Sequence, residues 1–151
     1  MITIVSVGKK HETWVEPGLE RYEKRLKAPW NVEWVLLPHS SYDGLQARQE
    51  ESERIEKRLG SDHFVLLLDE RGKRLDSPAF SQLIESTQTY GKKVAIVIGG
   101  AYGVTDELYQ RADFVLSLSD MVFPHQLVRL LLIEQLYRAQ SIAAGSKYHH
   151  V

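Results

Sequence analysis

Residues 94–104, VAIVIGGAYGV, and residues 112–150, ADFVLSLSDMVFPHQLVRLLLIEQLYRAQSIAAGSKYHH, decide how this chain folds. The first segment runs from an apolar strand into a glycine turn. The second runs from a strand over 114–118 through a polar turn into a long helix predicted over 124–144, and beyond it lie Tyr148, His149 and His150. Turns at strand ends are where α/β proteins usually hold a ligand, so the same segments that set the fold also point to a site.

Outward from this core, hydrophobic period and length predict strands at 2–7, 32–37 and 64–68 and a further strand at 94–98. Between them, residues 12–26 carry Trp14, Leu19, Tyr22 and Leu26 at near-helical spacing. Residues 45–59 form a very polar helix, expected to be a solvated outer face, and Ser77-Pro78 opens another helix as N-cap and first-turn proline. Continuous apolar strands separated by helices indicate a mostly parallel sheet covered on both faces. The expectation is a single-domain α/β protein spanning residues 1–151, since 151 residues at 43% hydrophobic are enough for one substantial core.

Composition narrows the chemistry. Cysteine is absent, which excludes disulfides, thiolate catalysis and sulfur-ligated zinc and leaves oxygen and nitrogen groups to do any catalysis. No apolar run approaches the roughly 18 residues of a membrane span, and residues 1–11 lack the pattern of a signal peptide, so a soluble cytoplasmic protein is expected. A net charge of -1 argues against binding nucleic acid by bulk positive charge. Local basic faces remain at Lys9-Lys10, at Arg21, Lys24, Arg25 and Lys27, and at Arg129, Arg138, Lys147, His149 and His150, each of which also reads as ordinary solvated surface. The last helix carries apolar residues around most of its circumference, from Leu127 to Ile142, which suggests burial against a second copy in a homodimer.

The glycine turn Gly99-Gly100-Ala101-Tyr102-Gly103 lets backbone approach a ligand, although alone it could be only a tight turn. It matches neither the dinucleotide fingerprint nor a phosphate loop. It does not stand alone, because the strand ends at Leu68, Ile98 and Leu118 should share one carboxyl edge and bring three loops together. With the apolar groups and backbone of residues 119–124, such a pocket suits a neutral-to-cationic ligand with a planar end better than a polyphosphate.

The segments LLLDERGK (66–73), IGGAYG (98–103) and 118–150, together with IVSVGKK (4–10), resemble the SPOUT class of knotted RNA methyltransferases over essentially the whole chain. Within that class they resemble the small enzymes that methylate N3 of a pseudouridine in large-subunit (23S) ribosomal RNA. The resemblance implies a C-terminal deep trefoil knot, an exception to unknotted connectivity, with S-adenosylmethionine held in the knot, a homodimer built on the last helix, and the assembled ribosome as partner. It carries cofactor contacts over to Leu68, Gly99, Gly100, Leu118, Ser119, Asp120, Met121, Val122 and Phe123. The chain departs from the pattern at Val122, where threonine is frequent, and at Lys147, where proline often precedes the Tyr-His pair.

For that reaction, positioning two reactants supplies much of the acceleration, and the imide-like N3–H must lose its proton to a base or beside a stabilising cation. The expected roles are His149 as proton acceptor, Tyr148 stacking on or hydrogen-bonding to the base, and Arg138 or Arg129 orienting a phosphate or the anionic base. His125, in the first turn of the last helix, suits capping or a cross-subunit bond at least as well as catalysis. No metal site is expected, as the histidines lack ligand spacing. The competing readings are a non-catalytic ribosome- or RNA-binding module and a nucleotide-binding enzyme of ordinary doubly wound topology, which the glycine spacing disfavours.

Overall fold

Strand β1 (Ile2–Val7) is apolar at successive positions because both of its faces are covered. Ile2 and Ile4 point into one core, and Val5 and Val7 into another. The same division runs along β3 (His63–Arg74), with Leu66 on one side and Val65 and Leu67 on the other, and along β4 (Lys93–Ile98). With β2 (Val32–Leu37) and β5 (Phe114–Ser117) these strands form a single sheet in the order β2-β1-β4-β3-β5, every neighbouring pair parallel. This computed structural model describes residues 1–150.

Helices α1 (Glu16–Glu23), α3 (Ser77–Thr89) and α5 (His125–Ala143) cover one face, where Leu19, Phe80, Ile84, Leu132, Ile133 and Leu136 meet the sheet. On the other face lie α2 (Gly44–Glu56) and α4 (Asp106–Arg111), through Ile55 and Leu108. Each fully buried aliphatic side chain of these layers contributes roughly 1.5–3 kcal/mol by leaving water.

Several elements differ from the sequence expectation for local reasons. Helix α1 starts at Glu16 and not at residue 12, because Pro17 belongs in a first turn. The N-cap of α3 is Asp76, whose carboxylate accepts from Ala79 N at 2.8 Å. Ser77, expected as the cap, instead donates its hydroxyl to Gln135 of α5. Strand β3 continues six residues past Leu68: it pairs with β5 at Leu66–Leu68, bulges, and pairs again at Lys73 and Arg74. That second pairing requires glycine at position 72, since a Cβ there would strike the backbone of Val115. Helix α2 is not merely an outer face, because Ala47, Glu51, Ser52 and Ile55 are buried.

Candidate active site

Because β4, β3 and β5 are consecutive in the sheet, the loops leaving their carboxyl ends are neighbours, and they enclose a cleft of about 450 Å³. Leu68, Gly99, Gly100, Leu118, Ser119, Met121, Val122 and Phe123 all line it. Asp120 does not. Its carboxylate turns outward and accepts from Arg74 Nη1 at 2.9 Å, tying the loop after β5 to the end of β3. Ser119 shapes the same loop by accepting from Met121 N at 3.0 Å. The cleft also takes in His125 and Val128 from α5, and the charged groups Arg48, Asp69, Glu70, Arg71 and Asp106. Asp69 and Arg71 neutralise one another through two parallel hydrogen bonds of 2.9 Å.

The glycine turn is held from behind by α2. Arg48 Nε donates to the Tyr102 carbonyl at 2.7 Å, Thr105 N donates to Ser52 Oγ at 3.0 Å, and the Glu51 carboxylate packs directly under Gly100. A Cβ at position 100 would overlap that carboxylate. Gly100→Ala is therefore expected to weaken binding of any cleft ligand at least tenfold and to destabilise the fold by about 1–3 kcal/mol, the usual cost of overpacking. Calorimetric titration and thermal unfolding of the variant check both effects.

Arg129 is the largest fully buried side chain. Its guanidinium donates to Ser6 Oγ, to the carbonyls of Val7, Gly8 and Lys10, and to His11 Nδ1, at 2.8–3.2 Å. Every donor is used to pin the loop after β1 to α5, so none is free to orient a substrate, contrary to one of the roles expected for this residue. Burial first, and then the nearby Arg129 charge, hold both His125 and His11 below the ordinary imidazole range, which keeps His125 neutral in the cleft at pH 7. A folded-state pKa below the unfolded value near 6.5 means that stability is complete above that pH and is lost as pH falls through the lowered value. Thermal midpoints from pH 8 to pH 5 should be flat and then fall, with a shallower fall in His125→Asn.

The C-terminal residues fold back on α5. Glu134 Oε1 accepts from Arg138 Nε at 3.0 Å, from Arg138 Nη2 at 2.5 Å and from the Tyr148 hydroxyl at 3.2 Å. Arg138 lies over the Tyr148 ring at 4.9 Å, and Tyr137 meets that ring edge-on at 4.7 Å. Desolvation, and then the Glu134 charge, push the Tyr148 phenol up to about 12, so it acts as a donor. Arg138 Nη1 sits 3.1 Å from His149 Nδ1. Arginine only donates, so Nδ1 accepts and the neutral ring carries its proton on Nε2. His149, Tyr148 and Arg138 thus form one cluster with Glu134, but none of them lines the cleft. His149 faces a second cavity of about 510 Å³ between α3 and α5, which shares only Leu118 and Phe123 with the first.

A family model described as "Predicted SPOUT methyltransferase" matches residues 1–149. The chain belongs to the SPOUT methyltransferase family. It is 42% identical to the ribosomal RNA large subunit methyltransferase H of Acetivibrio thermocellus, with 98% of each chain covered. It is 39% identical to the proteins of that name from Shouchella clausii, over 98% of each chain, and from Christiangramia forsetii, over 99% of this chain and 98% of the relative.

Membership in the SPOUT family implies a C-terminal trefoil knot. Methyltransferase activity accounts for a cleft on the carboxyl edge that is open to solvent and partly apolar. Among the described residues no trio of His, Asp or Glu side chains is placed to hold a metal ion, and no helix is long and apolar enough to cross a membrane. Pattern reading does not single out Arg48, Glu51 and Ser52, which stand behind the glycine turn, or Glu134, at the centre of the tail cluster. Glu134 and Arg138 stand four apart on one helix, as an i,i+4 pair does, but the bond from Tyr148 to Glu134 arises only in the fold.

Proposed function

We propose that this SPOUT methyltransferase transfers the methyl group of S-adenosylmethionine to N3 of a pseudouridine in large-subunit (23S) ribosomal RNA, in the assembled ribosome, with residues 1–151 working as one domain within a cytoplasmic homodimer. The observation that carries the reading is the cleft itself: three loops converge in it, bringing eight of the nine residues that the resemblance links to the methyl donor. Relatives named for ribosomal RNA methylation match this chain from end to end, which supports the substrate class.

The donor fits what is present. A cleft of about 450 Å³ suits a small molecule. Leu68, Leu118, Phe123 and Val128 offer apolar walls for a planar base, and Gly99 and Gly100 let it reach backbone. Asp69, Glu70 and Asp106 against Arg48 and Arg71 favour a cation over a polyphosphate. When bound, S-adenosylmethionine supplies an electrophilic methyl group on a sulfonium.

The tail supplies the rest. Arg138 holds His149 in the tautomer with its proton on Nε2, so His149 takes the N3 proton at Nδ1 once a substrate phosphate draws Arg138 away. Tyr148, kept protonated beside Glu134, stacks on or donates to the base. Leu127, Val128, Leu130 and Leu131 are only half-buried along α5 and Trp14 is exposed, which supports a second copy packing there. With His149 behind the Leu118–Phe123 wall of its own cleft, the dimer would let one protomer's tail serve its partner.

Incubation with radiolabelled S-adenosylmethionine and ribosomes lacking the modification tests the proposal. Label mapping to a single pseudouridine is the expected result. No transfer, with no donor binding by calorimetry, would favour a non-catalytic module that docks on ribosomal RNA.

A further inference from the structure

Glu51 is 3% exposed, on the face of α2 that packs beneath the glycine turn. Its Oε2 accepts from Ser40 N at 3.0 Å and stands 3.8 Å from His39 Nδ1 on an exposed side chain. Its Oε1 is buried without any hydrogen-bond partner and lies against Gly100, where a Cβ would collide with it. A carboxylate in this position is expensive unless its charge is answered, and a glutamine would fill the same volume at less cost.

Among the described residues the one ion-pair partner within reach of Glu51 is the solvent-exposed His39 imidazole, 3.8 Å from Oε2, and it leaves Oε1 unanswered. Arg129 uses all its N–H groups on neutral acceptors. Arg71 is paired with Asp69, and Arg48 donates to the Tyr102 carbonyl. His125, on the cleft wall, feels Glu51 but is held neutral by burial and by Arg129. The space on the other side of Gly100 is the cleft. A buried charge separated from a ligand only by glycine backbone acts through a low dielectric and is little screened by salt.

We propose that Glu51 is the residue by which the cleft distinguishes the charged methyl donor from its neutral product. This inference rests on the cleft being the S-adenosylmethionine site. The donor carries a fixed sulfonium charge, and S-adenosylhomocysteine, the same molecule without the methyl group, does not. The carboxylate stabilises the first and has little to act on in the second, so it favours loading of donor and release of product. Glu51 touches neither reacting atom and acts through position and charge alone.

Titration calorimetry of the full chain with each ligand tests this directly. In Glu51→Gln, affinity for S-adenosylmethionine should fall about tenfold while that for S-adenosylhomocysteine changes less than about twofold, the size of effect a single charge acting across a few intervening atoms produces. Glu51→Asp keeps the charge, so the ratio of the two affinities should stay near wild type even if both weaken. An unchanged ratio in Glu51→Gln, whether both affinities fall equally or neither falls, would make Glu51 only a prop for the glycine turn, and a collapsed ratio in Glu51→Asp would equally overturn the proposal. Should Glu51→Gln fail to fold, the wild-type protein decides, because equal affinities for the two ligands would leave the carboxylate nothing to distinguish. A wild-type protein that binds neither ligand would refute the assignment of the cleft itself.

Discussion

Substitution His149→Ala, or removal of residues 148–150, will lower methyl transfer to ribosomal RNA by about 10²–10⁴-fold, the range of a lost acid–base group, while S-adenosylmethionine affinity shifts less than about twofold. The two effects separate because the tail and the cleft are separate structures. His149 lines the second cavity together with Leu131, Gln135 and Phe123, and neither it nor Tyr148 lines the first. Removing the tail takes Tyr148 and His149 away from Glu134 and Arg138 on α5 but leaves the loops at Leu68, Gly99 and Leu118 supported by the sheet. Single-turnover labelling of ribosomes beside calorimetric titration checks both numbers. Parallel loss of transfer and donor binding would mean that the tail builds the donor pocket. Arg138→Ala should give a smaller loss than His149→Ala, because it removes the orienting charge yet leaves the imidazole free to accept a proton.

Arg129→Ala will destabilise the fold by roughly 3–5 kcal/mol, the cost of breaking a buried charged network, and lower the melting temperature by about 10 °C for a chain of this size. Five acceptors lose their donor at once: Ser6 Oγ, three carbonyls at the end of β1, and His11 Nδ1. A buried carbonyl left without a partner bears its full desolvation penalty, and water has little room to replace a guanidinium that is wholly enclosed. Differential scanning calorimetry of wild type and variant measures the shift. An arginine that contacted RNA would behave in the opposite way, with an unchanged melting temperature and weakened ribosome binding.

These two residues also mark how much of the site was legible without coordinates. His149 and Arg129 both look like basic side chains near the C-terminal helix, and pattern gave both a substrate-facing role. One is half-exposed and joined to the tail, while the other is sealed in the core because its helix crosses the end of β1. Asp120 was read with its loop, and its neighbours do line the cleft, yet Arg74 pulls its carboxylate outward. Helix α2 was read from its charge as a solvated face, and three of its polar residues turn out to brace the glycine turn more than fifty positions away or to pack beneath it.

The sequence by itself determined the architecture: unbroken apolar strands demand cover on both faces, helices between them make the sheet parallel, and a glycine turn at a strand end opens a place for a ligand. Those properties follow from hydrophobic period and backbone freedom, which neighbouring residues set. Tertiary structure alone decided the order β2-β1-β4-β3-β5, the burial of Arg129, the unpartnered oxygen of Glu51 and the separation of the tail from the cleft. Each depends on which polar groups meet across distant parts of the chain, and a hydrogen bond or an uncompensated charge acquires its energy only when folding brings its surroundings into place.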